Sequence, residues 1–327
     1  MNPTLLLLAA ASFFIVLAVT PRVASFMLKR GILGVDVHKA TRPRIPEMCG
    51  VSLWIGVLPS ILIASIADPT RQALYLAFAL TGLMAGLVGL IDDLKPLHPV
   101  LKPVLTALSA APILILKVYE PFPYLPFIGR SRLTIVYPIL IPISLAVTSN
   151  AVNMMDVFNG VMPLTSIIAF ITAFAALTLL GRGPESYLAL CMAAALAAYY
   201  RYNRYPARVF SGDSGSLFVG ACLGAVAILG RIEVVMVVAL MPQILNAFYG
   251  LSSVGRLYER REVKARPVVV LPDGRLDVSK SRNAPLTLTR LILAEGPLSE
   301  KEVLKVMAAL ALLSSALAAV TYMLTPW

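Results

Sequence analysis

Long apolar runs alternate with short polar connections along the chain, and the runs recur at a telling length. Ten can be read, over 5–27, 51–67, 73–91, 100–118, 133–152, 161–180, 185–200, 214–230, 234–254 and 303–324. A bilayer core of about 30 Å is crossed by about 20 helical residues. The pattern therefore predicts an all-α polytopic membrane protein with about ten transmembrane helices. The runs at 185–200 and 214–230 are short, which leaves room for tilting or kinking. The first run is long for a signal-peptide core and has no basic residue before it, so it is read as an anchor. Residues 119–132, "YEPFPYLPFIGRSR", are rich in proline and aromatics and predict an interfacial turn or short hairpin. Residues 266–279, "RPVVVLPDGRLDVS", set β-branched residues on either side of a Pro-Asp-Gly turn and predict a small hairpin. With no internal repeat, the chain reads as a single integral membrane domain over 1–327, in which 255–302 is the longest connection.

Composition agrees with the pattern. Of 327 residues, 58% are hydrophobic and 14% charged, and mean hydropathy is +0.82. Too few ionic groups are present to coat a water-soluble globule of this size. The net charge of +11 is unevenly placed: nineteen of the 28 Lys and Arg fall in connections after odd-numbered runs and five after even-numbered ones, with Arg22, Lys102, Lys117 and Lys305 inside runs. The positive-inside rule then makes the odd connections cytoplasmic, the 266–279 hairpin among them, and puts both termini outside. Asp36, Glu47, Asp92, Asp93, Asp156 and Asp213 gather on that same face. The rule concerns bases and not acids, so the carboxylates point to chemistry there. Cys49, Cys191 and Cys222 form no CxxC pair and read as small buried hydrophobes. His38 and His98 have no partner at metal-ligand spacing, and no nucleic-acid partner is expected.

Four polar clusters carry the candidate chemistry. "GLIDDLKPLHPVLKP" sets Asp92 beside Asp93 at the end of the third run, with Lys95 and Lys102 following. Adjacent carboxylates repel unless a cation or a shared proton relieves them, and acids oppose the dipole at a helix C-terminus. "SNAVNMMDVFNGVMP" spaces Asn150, Asn153, Asp156 and Asn159 three apart, which predicts a stripe on one helix face that a single small ligand could touch; an interhelical hydrogen-bond ladder is the plainer alternative. "RYPARVFSGDSGSLFVG" places Asp213 between glycines ahead of an apolar helix, with Arg201, Arg204 and Arg208 before it. Simple helix capping would explain the aspartate alone; acid for a divalent cation together with guanidinium for phosphate suits a diphosphate. "GRLYERREVKARP" supplies Arg256, Arg260, Arg261, Lys264 and Arg266, either as a phosphate clamp or as a patch for anionic lipid heads.

Taken in order, these motifs resemble the polyprenyl-phosphate N-acetylhexosamine-1-phosphate transferases, most closely the branch that uses UDP-GlcNAc and dolichyl phosphate. The resemblance covers nearly the whole chain, including "KATRPRIPEMCG" in the first connection and "DGRLDVS" in the ninth. The histidine-rich last loop of the MurNAc-pentapeptide branch is missing, and Val157 stands where glycine is frequent. By matching positions, the resemblance implies that Asp213 binds Mg²⁺, with Mn²⁺ as a substitute, and that Asn153 is linked to the same ion. It implies that Asn159, Gly160 and Asp156 hold the uridine, with Asn150 in the same substrate-contacting segment. Asp92 and Asp93 match the acidic pair near the metal and the acceptor phosphate, and Lys102 matches a lysine for that phosphate. Glu47 falls near the sugar diphosphate, and Arg261, Lys264 and Arg266 stand in for a loop that grips it. The implied partners are a UDP-N-acetylhexosamine and dolichyl or polyprenyl phosphate in the membrane, and helix faces that could support a homodimer.

Elementary electrostatics fits that reading. Both reactants are anions, so their meeting needs a cation and basic side chains to neutralise the repulsion. One reactant is water-soluble and the other carries its phosphate at headgroup level, so the chemistry belongs at the interface. Two other classes stay in view. A transporter usually keeps its polar groups at mid-membrane on broken helices, and a GxGD-type aspartyl protease would need a glycine where Phe210 stands. Within the resembled family, a MurNAc-pentapeptide or other N-acetylhexosamine transferase is the alternative.

Overall fold

Helices lie over all ten apolar runs in the computed structural model, which describes residues 3–255, 257 and 265–327. In chain order these elements are α1 (Pro3–Lys29), β1 (Leu33–Val35), β2 (Arg44–Pro46), α2 (Val51–Ala67), α3 (Gln72–Leu94), α4 (Leu101–Leu108) and α5 (Ala111–Ile115). There follow β3 (Tyr124–Leu125), β4 (Gly129–Arg130), α6 (Tyr137–Met155), α7 (Val161–Leu179), α8 (Gly183–Asn203) and α9 (Gly212–Leu229). The last are α10 (Glu233–Ala239), α11 (Met241–Val254), β5 (Val268–Val270), β6 (Leu276–Val278), α12 (Leu288–Ile292) and α13 (Glu300–Met323).

Among the described residues six helices are long and apolar enough to cross a membrane, or seven if the bent pair α10 and α11 is one span. Ten predicted spans are thus reduced for identifiable reasons. Helix α2 has 17 residues, and α8 has 21 but ends in Tyr199, Tyr200, Tyr202 and Asn203, which dilute its apolar content. The run at 100–118 is broken into α4 and α5 because Pro112 has no N–H to return to the preceding turn. Pro242 does the same at the junction of α10 and α11, which meet at 68°. Hairpins form at both predicted places: β3 pairs with β4, and β5 with β6 across a turn in which Gly274 takes a φ of +83°. A third hairpin, β1 with β2, lies in the first connection and was not anticipated.

Helix α9 is the centre of the bundle. Every residue from Ser214 to Leu229 is buried, with α3 and α6 as its most extensive neighbours and α2, α7, α8 and α10 completing the surround. Helices in an apolar solvent gain little from hydrophobic burial and associate by close packing, which small residues permit. That rule is visible here. A Cβ on Gly89 of α3 would lie 2.2 Å from the Asp213 carbonyl oxygen, and one on Gly50 would lie 2.2 Å from the Gly215 Cα. Backbone therefore meets backbone on both sides of the first turn of α9. A smaller apolar cluster joins the β5–β6 hairpin to the bundle, with Val268, Leu276 and Leu293 against Met155, Phe158, Val161, Val303 and Met307.

Substituting Gly89→Ala should destabilise the detergent-solubilised protein by about 1–3 kcal/mol, the usual range for overpacking a tight interface. Gly183→Ala, where an added Cβ meets nothing within 4 Å, should leave the thermal midpoint unchanged and serves as the control.

Candidate active site where helix α9 begins

The first turn of α9 presents backbone amides that have no partner inside the helix. Asp93, at the end of α3, supplies the acceptors: one carboxylate oxygen receives the Asp213 N–H at 2.8 Å and the other the Ser214 N–H at 3.0 Å. A carboxylate at a helix N-terminus is also favoured by the helix dipole. Gly212 makes this contact possible. Its φ is +66°, and a Cβ there would lie 2.6 Å from the Asp93 carboxylate.

With its backbone held, Asp213 aims its side chain at residues from two other helices. The Asn153 amide of α6 donates to one Asp213 oxygen at 2.8 Å and also to the Ser216 hydroxyl at 2.8 Å. Lys102 of α4 donates to the other Asp213 oxygen and, at 3.1 Å, to Asp92. The second Asp92 oxygen receives the Leu97 N–H at 2.7 Å. One turn back along α6, Asn150 donates to Thr106 Oγ1 at 2.9 Å, which ties α6 to α4. Asp92 and Lys102 are buried, whereas the Asp213 side chain keeps 25% exposure and so faces outward from the group.

The structure thus brings together Asp92, Asp93, Lys102, Asn153 and Asp213, with Asn150 adjacent. Glu47 is half-buried beside the same turn: its connection is hydrogen-bonded to the segment leading into α9 through Phe210 N–H to Pro46 O, Cys49 N–H to Phe210 O and Gly50 N–H to Ser211 O, at 2.8, 2.9 and 3.0 Å. The expected stripe of four polar side chains is cut short, because α6 ends at Met155 and Asp156 caps it with φ −78° and ψ 65°. Only Asn150 and Asn153 share a helix face. Asn159 and Gly160 lie in the turn beyond, bonded to other partners: Asn159 to Glu300 and Asp36, and Gly160 N–H to Asn203 Oδ1 at 3.1 Å. Arg201, Arg204, Arg208 and Arg266 are exposed. Arg261 and Lys264, with Arg256 and Arg260, lie outside the described residues.

Among the described residues no three His, Cys, Asp or Glu side chains gather into a metal cage. The oxygen donors still suit a hard cation, since Mg²⁺ usually takes one or two carboxylates from a protein and fills the rest with water and phosphate oxygens. Asp213 and Asn153 touch, so one ion could contact both. Asp36, Lys39, Glu300 and Asn203 were not anticipated as neighbours of the site. Asp36 stands among the acids gathered after odd-numbered runs and Lys39 opens the first-connection motif, while Glu300 lies inside the Ser299-x-x-Glu302 capping box that marks the start of α13.

Comparison with known proteins finds similarity over the segment that carries most of these contacts. Residues 75–231 match the model of glycosyl transferase family 4. Among similar curated proteins is one of Saccharolobus solfataricus named "Putative UDP-N-acetylglucosamine--dolichyl-phosphate N-acetylglucosaminephosphotransferase", 28% identical over 81% of this chain and 87% of its own length. A protein of Methanocaldococcus jannaschii named as a "Putative glycosyltransferase" is 29% identical over 86% of each chain. The phospho-N-acetylmuramoyl-pentapeptide-transferase of Moorella thermoacetica is 31% identical over 58% of this chain and 63% of its own.

Two outcomes follow from this geometry. Asp93→Ala should cost about 1–2 kcal/mol in a denaturant melt, the range for losing a helix cap with two acceptors, and Asp93→Asn less, since one carbonyl oxygen remains. Burial, with the Glu47 charge adding to it, pushes the Cys49 thiol up to about 12. N-ethylmaleimide at pH 8 should therefore leave Cys49 unlabelled in the folded protein and label it after unfolding, as read by peptide mass spectrometry.

Proposed function

We propose that this chain transfers N-acetylglucosamine 1-phosphate from UDP-N-acetylglucosamine to dolichyl or another polyprenyl phosphate, releasing UMP, as the first lipid-linked step of N-glycan assembly. The observation that carries the reading is the contact of Asp213 with Lys102 and Asn153 beside Asp92, four side chains from four helices at one end of the bundle. The name of the Saccharolobus relative supports the same substrates. In this reading all ten helical runs enter the bilayer, the site faces the cytoplasm and both termini lie outside, as the placement of basic residues argues.

The chemistry is one substitution at phosphorus. An oxygen of the acceptor phosphate bonds to the β-phosphorus of the donor, the bond from that phosphorus to the α,β-bridging oxygen breaks, and the bridging oxygen leaves on UMP. A phosphomonoester loses its second proton near pH 6, so the acceptor needs little help to ionise. Lys102, buried and oriented by two carboxylates, offers its ammonium to that phosphate as a fixed charge. Asp93 spends both oxygens on the amides of α9 and so positions Asp213. That leaves Asp92, which faces Lys102, as the acid of the pair on the acceptor side. Asp213 and Asn153 are the residues that would hold Mg²⁺, and the bound ion would neutralise charge on the diphosphate.

Asp213→Ala should lower Mg²⁺-dependent UMP release from UDP-GlcNAc and dolichyl phosphate by at least about a hundredfold, the scale of losing a main electrostatic stabiliser. Turnover near that of the unsubstituted protein would remove the reading. UDP-MurNAc-pentapeptide with undecaprenyl phosphate, run in parallel, tests the other branch.

A further inference from the structure

A second charged group lies at the same end of the bundle, and no step of the reaction uses it. Asp36, which follows β1, Lys39 and Glu300 at the start of α13 converge on the turn between α6 and α7. The Asn159 N–H donates to Glu300 Oε1 at 3.0 Å, and the Asn159 side-chain amide donates to Asp36 Oδ2 at 3.1 Å. Lys39 is bonded to Asp36 and lies 3.2 Å from Glu300 Oε2, so one ammonium joins both carboxylates. Asp36, Asn159 and Glu300 are all buried. Lys39 and Lys301 also approach the Tyr205 ring, at 4.8 and 5.1 Å from its centre.

Burying such a group is costly, and an apolar substitute of similar volume is often at least as stable. Its specific effect is to fix one residue, Asn159, by both its main chain and its side chain. That residue is six positions from Asn153, and the chain between them has little freedom. Asp156 N–H bonds to Asn153 O at 3.1 Å, Val157 N–H to Met155 O at 2.9 Å, and Val161 N–H to Phe158 O at 3.2 Å. Beneath the turn, Met155, Phe158 and Val161 are packed against the β5–β6 unit and α13. A displacement at Asn159 is therefore passed to the end of α6, where Asn153 meets Asp213.

We propose that Glu300 is a positioning residue: through Asn159 and Lys39 it holds the α6–α7 turn so that Asn153 is aimed at Asp213. It touches no reacting atom and acts from the far side of the turn. The kinetic half of its test rests on the transferase reading above; the structural half does not.

The experiment uses the full chain in lipid nanodiscs, unsubstituted and as Glu300→Ala and Glu300→Gln. Amide hydrogen exchange of peptides covering 153–161 should quicken about tenfold in Glu300→Ala while those from α3 and α9 stay unchanged, as expected for local opening. The Mg²⁺ concentration for half-maximal UMP release should rise about tenfold, as for loss of an outer-sphere partner, with kcat at saturating Mg²⁺ kept within about twofold. Glu300→Gln retains an oxygen for the Asn159 N–H and should fall between the two. Unchanged exchange at 153–161, a uniform quickening that includes α3 and α9, or an unaltered Mg²⁺ midpoint would each overturn the proposal. If the unsubstituted protein releases no UMP, the transferase reading fails and the exchange result alone decides on Glu300.

Discussion

The site depends on the Asp93 carboxylate closing over the first amides of α9. Two helix ends that would each be unfavourable alone, an acid at the C-terminus of α3 and open N–H groups at the start of α9, satisfy one another when the helices run antiparallel. The approach is close enough that Gly89 and Gly212 have no room for a side chain, so the register of the two helices is set by main-chain contact. Asp213 is then fixed at the backbone before its side chain makes any contact. The adjacent pair Asp92 and Asp93 thereby divides its work, one residue bonded to the main chain of α9 and the other to Lys102.

Charge makes the second layer. Asp92 and Asp213 share one ammonium at the end of an apolar bundle, where interactions between charges are stronger than in water. Under the proposed function such a group would draw a further cation, and with it an anionic substrate. The same logic appears at the Asp36, Lys39 and Glu300 group, again two carboxylates on one lysine, but there the remaining hydrogen-bonding capacity is spent on Asn159 and not left facing outward. Similar ionic groups therefore serve different ends according to what their free lone pairs meet.

How much of this was legible in the sequence depends on distance along the chain. The helical runs and the hairpins at 119–132 and 266–279 were readable, and the polar clusters holding Asp92, Lys102, Asn153 and Asp213 stood out because polar residues at the ends of apolar runs are expensive; that they belong to one site was implied by the family resemblance. The breaks at Pro112 and Pro242 were also written in the chain, but apolar windows average over a proline and conceal it. Asn159 looked like one more member of the Asn150 and Asn153 stripe, since period alone does not say where a helix stops. Its real partners, Asp36 and Glu300, lie 123 and 141 residues away. No local pattern announces a pairing of that kind; only the closed bundle does.

The break between α4 and α5 shows why an interruption in an apolar run belongs to the site. A lysine within an apolar run is costly unless it lies near a polar end. Here Lys102 sits in the first turn of a helix of eight residues, beside the polar end of the bundle. Carbonyls along that short helix receive local side-chain bonds: Thr106 Oγ1 donates to Lys102 O at 3.0 Å, and Ser109 Oγ to Thr106 O at 2.6 Å. Irregular backbone inside a membrane protein persists where protein groups satisfy it, and Thr106 does so while also receiving the amide of Asn150. One threonine thus links the break in the helix to the α6 face that carries Asn153, so the irregularity and the candidate site are parts of one hydrogen-bonded unit.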